Sequence, residues 1–225
     1  MTGGRRAAAT LAWVAVFSVA FALVEASVVI YLRALYYPEG FAFPLKMIPP
    51  GYLRVEIARE AATMIMLATL GVIAGRRPWE RFGFFLFAFG MWDIAFYAWL
   101  LGTVGWPGSL FDWDILFLIP FPWVGPVIAP LAISLLMTIC GGILVLRSAG
   151  ERRFHPGALS WALGVVGTSL VLYSFMADTD AALRGAYPAP YHYGLLVAGL
   201  VSYVAGFILA CRPVRTVPGS GSGNS

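Results

Sequence analysis

Glu56 and Glu60 stand four residues apart with Arg59 between them, near the start of an apolar run at about 54–75. Residues four apart share a helix face at roughly 6 Å. Both carboxylates could therefore reach one cation, while Arg59 pairs with one of them. Glu25 and Asp93 interrupt two other apolar runs, and Asp93 shares a helical face with Tyr97, as Glu25 does with Ser18 over two turns. His192, within Pro190-Tyr191-His192-Tyr193, and Asp114, just before Ile115-Leu116-Phe117-Leu118, complete the candidate set.

Four carboxylates and one imidazole make a hard ligand set. It suits a divalent ion such as Mg, Mn or Ca, or non-haem Fe, better than copper. The expected ligands are Glu25, Glu56, Glu60, Asp93 and His192, with Arg59, Tyr97 and Asp114 in support. Each residue also has a plain structural reading. Glu56, Arg59 and Glu60 could be a helix-entry ion-pair cluster, Glu25 and Asp93 could hydrogen-bond to neighbours, and His192 with its tyrosines fits an aromatic belt at an interface.

The elements that carry these groups are membrane helices. Hydrophobic residues make up 60% of the 225 and charged residues only 12%, half the share usual in a soluble domain. Runs of roughly 18 or more apolar residues read as spans. They fall at about 8–34, 54–75, 82–103, 124–146, 157–177 and 191–211. The expected fold is an all-α bundle of about six transmembrane helices in one domain, 1–217, with a flexible linker-like tail at 218–225. The stretch from Leu110 to Ile119 is too short to span and is expected to form an interfacial or re-entrant helix.

Placing the N-terminus in the cytoplasm puts Arg5, Arg6, Arg76, Arg77, Arg81, Arg147, Arg152, Arg153, Arg212 and Arg215 on that side. Only Arg33, Lys46, Arg54, Arg59 and Arg184 fall in or beyond the outer half. This asymmetry predicts a multi-pass protein of the cell membrane (an inner membrane, in a bacterium) with both termini cytoplasmic. It also accounts for the net charge of +4 without nucleic acid. The acids divide the other way: Glu80 and Glu151 are cytoplasmic and the other nine lie in the outer half or beyond.

Depth follows from the helical rise. Glu25 and Glu60 lie roughly 12 and 9 Å below the outer boundary, and Asp93 about 15 Å down. A carboxylate at a helix centre costs roughly 2.5–3.5 kcal/mol, so these three together approach the stability of a whole domain. They must be paired, metal-bound or protonated, and Arg59 alone cannot neutralise all three.

No GxSxG, HExxH, Walker A, GxGxxG or DDxxD motif is present. Cys140 and Cys211 lack metal or disulfide spacing, and two histidines on opposite sides of the membrane exclude a bis-His haem within the chain. The leading expectation is a metal-dependent membrane enzyme acting on a lipid-soluble or lipid-linked substrate, admitted from membrane lipid through an aromatic-lined opening. A proton- or cation-coupled transporter is the alternative. So is a structural or assembly subunit of a larger membrane complex or homo-oligomer.

Overall fold

The computed structural model describes residues 3–39, 49–119, 121–150, 154–184, 186 and 190–212. The boundary expected at 217 and the tail expected at 218–225 lie outside them. Among the described residues, six helices are long and apolar enough to cross a membrane. They are α1 (Gly3–Tyr36), α2 (Pro50–Ala74), α3 (Pro78–Val104), α4 (Ile128–Ala149), α5 (Ala158–Met176) and α7 (Tyr193–Cys211). A short α6 (Thr179–Leu183) follows α5. The protein is a polytopic all-α membrane bundle.

Helices α1, α2 and α3 turn the acids of their middle turns inward, since lipid offers them no hydrogen-bond partner. On α1 the buried stripe is Ala7, Val14, Ser18, Ala22, Glu25 and Ala26, spaced by whole helical turns. On α2 it is Glu56, Glu60, Thr63, Leu67 and Gly71. Opposite faces carry Trp13, Ile65, Ile73, Val165 and Val201, all well exposed and suited to lipid.

Local signals fix the helix ends. Pro50 opens α2, where its missing N–H costs nothing. At the head of α3 the Glu80 carboxylate accepts the backbone N–H groups of Arg76 and Arg77. Gly105, at φ 68°, closes α3 in the left-handed conformation that glycine adopts without strain. The arginine-rich helix ends gather at one end of the bundle, where Arg77 donates to the Ser148 carbonyl at 3.3 Å and Arg147 to the Cys211 carbonyl at 2.6 Å.

α3 is the central helix, packed against α1, α2 and most closely α4. Gly90 permits that approach: a Cβ there would overlap the Ser134 carbonyl oxygen and the Thr138 hydroxyl. α5 and α7 form a second pair, with Gly167 and Gly199 at their crossing.

Between α3 and α4 the structure corrects the expectation of a short helix over 110–119. Two antiparallel strands stand there, β1 (Trp113–Phe117) and β2 (Trp123–Pro126). Asp114 opposes Gly125 and Ile115 opposes Val124, with a bulge before the Phe117–Trp123 pair. A two-stranded hairpin leaves its outer edges in need of partners, and here the Ile115 and Leu118 N–H groups go to the Asp114 and Glu60 carboxylates. Pro120 and Pro122 stop a helix, and the Trp, Ile and Phe content favours strands. The partner strand is the segment that the expected fourth span, beginning at 124, had absorbed; α4 begins only at Ile128. Thr179 donates to the Pro122 carbonyl at 2.6 Å, and Gly125 lies against Phe175 and Tyr191. The hairpin thus joins the α5–α7 pair to the main bundle.

Candidate functional site

Three inward stripes, on α1, α2 and α3, meet beneath the hairpin. Glu25 on α1 receives the Arg59 guanidinium at Oε2 and the Thr63 hydroxyl at Oε1, the latter at 2.7 Å. The same guanidinium holds Glu56 through Nε at 2.9 Å and Nη2 at 2.8 Å. One planar fork therefore serves two carboxylates on two helices, with the fixed donor geometry that a guanidinium has and an ammonium lacks.

Glu60 and Asp93 are held differently. Glu60 Oε2 accepts the backbone N–H of Leu118 at 2.8 Å, just past β1. Asp93 Oδ2 accepts the Ser134 hydroxyl at 2.8 Å, across the close α3–α4 contact that Gly90 allows. Among the described residues neither has a cationic side chain within ion-pair distance, whereas Glu25 and Glu56 share Arg59.

Glu25, Glu60 and Asp93 open into one cavity of about 70 Å³, together with Arg59, Thr63, Trp92 and Tyr97. Ile115 and Leu116 of β1 form part of its wall. At roughly 10–15 Å³ per enclosed water, it has room for a few water molecules. It is far below the 300–1,000 Å³ of a site for a drug-sized molecule.

Asp114 fastens the hairpin. Its Oδ1 pairs with Arg33 at 3.0 Å and its Oδ2 accepts the Tyr97 hydroxyl at 3.3 Å. Arg33 also lies over the Trp106 ring, 3.9 Å from the centroid. Asp114 sits outside the spanning helices and is 4% exposed. Burial pushes its pKa up to about 6, outweighing the opposite pull of the Arg33 guanidinium. Burial likewise raises Tyr191 to about 12, so its hydroxyl, 2.9 Å from that of Ser174, is neutral at physiological pH.

The candidate residues separate by position. Glu25, Arg59, Glu60, Asp93 and Tyr97 share the cavity, and Asp114 joins them through Tyr97. Glu56 is buried beside it on the Arg59 fork. His192 caps the start of α7, exposed and away from the cavity wall. Among the described residues, no three His, Cys, Asp or Glu side chains come together in a way that could hold a metal ion. Ser18, which shares a face with Glu25, donates instead to the Val14 carbonyl at 2.8 Å.

Sequence reasoning missed several contributors. Thr63 was findable, three residues after Glu60 on the same stripe. Ser134, the Leu118 N–H and the Asp114–Arg33 pair depend on which elements pack together, and spacing along the chain carries no trace of that. No protein-family model, curated protein or solved structure matches the chain.

Proposed function

We propose that the chain is a proton- or cation-coupled membrane transporter whose coupling site is the cavity between Glu60 and Asp93. One observation carries this reading: two carboxylates share a small polar cavity inside the bundle, and neither has a cationic partner among the described residues. Arg59 is already committed to Glu25 and Glu56. Two uncompensated carboxylates at membrane depth cost roughly 5–7 kcal/mol, which an exchangeable proton or cation removes. Intramembrane acids of this kind serve as relays in pumps and transporters.

The metal-dependent enzyme draws less support. Its ligands do not converge, His192 stands apart, and the cavity is too small for a lipid-linked substrate. The excess of arginine at the opposite end of the bundle orients the cavity toward the outer face, with both termini in the cytoplasm. Reporter fusions after Arg77 and near Ser109 read that orientation as cytoplasm and outside respectively.

The coupling itself is tested in proteoliposomes enclosing a pH-sensitive dye, with Na+, K+ or ammonium offered across the membrane. Protein-containing vesicles should collapse an imposed pH gradient at least tenfold faster than protein-free ones. Glu60→Gln and Asp93→Asn, each shown to be folded by size-exclusion chromatography, should abolish the difference. Wild-type vesicles that hold the gradient as protein-free ones do, with every cation, would refute transport.

A further inference from the structure

We infer that the cavity binds a single monovalent cation together with one water, the cation being a proton or sodium, held between Glu60 and Asp93 with the Trp92 indole N–H donating to that water. The inference rests on reading the cavity as a coupling site and names what occupies it.

The carboxylates call for positive charge; Trp92 calls for something else. This residue lines the cavity, is 6% exposed, and its indole nitrogen has no hydrogen-bond partner among the described residues. Phe21, Phe89 and Phe96 pack around its ring and hold it in place. Trp99, further along α3, gives its N–H to the Val19 carbonyl at 3.0 Å. A buried donor left unmade costs about 1–3 kcal/mol, and such donors are nearly always matched by protein or ordered water. An indole N–H cannot bond to a bare cation, because it needs a lone pair.

One ligand meets both demands. A cation that keeps a water offers charge to Glu60 and Asp93 and an oxygen lone pair to Trp92. Volume limits the choice, since about 70 Å³ admits a few water-sized groups and no lipid or drug-sized molecule. Charge limits it further. The Arg59 guanidinium lines the same cavity and disfavours a divalent ion. Divalent ions of the magnesium and calcium type also need six or more oxygens in a defined shell, and among the described residues no three acidic or imidazole ligands converge here. The groups that bear on the occupant are Glu25 from α1, Glu56 and Arg59 from α2, Tyr97 from α3 and Asp114 from β1. Arg59 answers Glu25 and Glu56, Arg33 answers Asp114, and Glu60 and Asp93 are left to share the incoming charge.

The test uses the purified full chain in nanodiscs of uncharged lipid, where no transport is possible. Calorimetric titration with NaCl at pH 8, against choline chloride as the ionic control, should show saturable binding if sodium is the occupant. If a proton is the occupant, sodium gives no heat, and a pH titration from 8 to 5 shows proton uptake that Glu60→Gln and Asp93→Asn reduce to what Asp114 alone takes up. In either arm Trp92→Phe, which keeps a ring and loses the donor, should weaken binding about three- to tenfold. Because that variant could fail to fold, the wild-type protein is also labelled with 15N-tryptophan. One of its eight indole N–H signals should shift with the midpoint of the binding curve.

Three results would overturn the inference: no binding in either arm, an unchanged affinity in folded Trp92→Phe, or no indole signal that follows the titration. Saturable binding without flux in proteoliposomes would refute the transporter and leave the site standing. Flux that ignores Trp92 would do the reverse.

Discussion

Arg59 has one positive charge for Glu25 and Glu56 and contributes nothing at ion-pair distance to Glu60. Removing it should expose the imbalance. Breaking a buried ion pair by deleting one partner costs about 3–5 kcal/mol. Arg59 keeps 23% side-chain exposure, so Arg59→Ala should cost about 3 kcal/mol, the low end of that range. Adding Glu25→Gln to that variant should recover part of the loss, because one stranded charge is gone. Thermal unfolding in detergent reads both; an unaltered midpoint in Arg59→Ala would show that the fork contributes nothing to stability.

Asp114 makes a pH prediction at the same scale. Its folded pKa of about 6 lies above the ordinary 3.8, so the folded state holds this proton more tightly than the unfolded chain does. The resulting stability is fully present below about pH 4 and is lost as pH rises through 6. The unfolding midpoint of the wild type relative to Asp114→Asn should therefore fall between pH 4 and 6.5 and level off above 7. A difference of about two pKa units corresponds to roughly 2–3 kcal/mol across that window. A pH-independent gap between the two proteins would contradict the burial of this carboxyl.

Among the elements, the α3–α4 contact sets the position of Asp93, because Gly90 lets Ser134 approach within hydrogen-bond reach. A methyl group at 90 meets the Ser134 carbonyl and the Thr138 backbone nitrogen as well as the Thr138 hydroxyl, and overpacking of this kind costs about 1–3 kcal/mol. Gly90→Ala should lower the unfolding temperature and also reduce coupled flux, by pushing Ser134 off Asp93. Gly102→Ala, with open space around it, should do neither and serves as the control.

How much of this was legible differs element by element. The spanning helices and their inward stripes were, because apolar run length and the i, i+4 spacing of Glu56 and Glu60 are properties of the chain itself. The hairpin was not. A ten-residue apolar stretch suits a buried helix and a buried strand equally, and the two prolines that decide the matter lie past its end. His192 joined the candidate set on residue type alone. Nothing in the sequence said that α5 and α7 stand as a separate pair, with His192 at an exposed helix start.

At the scale of the whole molecule, Arg76, Arg77, Arg147 and Arg212 gather at one end of the bundle, and Glu25, Glu60, Asp93 and Asp114 lie together away from it, capped by a hairpin that touches both helix groups. Asp114, Glu60 and Thr179 bind that hairpin to α1 and α3, to α2, and to α6 respectively. Ile115 and Leu116 of the hairpin wall the cavity, and Glu60, which lines it, also accepts the Leu118 N–H, so one carboxylate of the site also holds its wall. The account stands on Glu60 and Asp93 being neutralised by a charge that exchanges with solvent. The most direct measurement is the infrared absorption of protonated carboxyl groups in the membrane-embedded protein, recorded as a difference between pH 5 and pH 8 with and without sodium. The account predicts a band, lost at high pH or on adding sodium, that is larger than the one Asp114 alone leaves in Glu60→Gln combined with Asp93→Asn. A wild-type spectrum that changes no more than that of the double variant would contradict it.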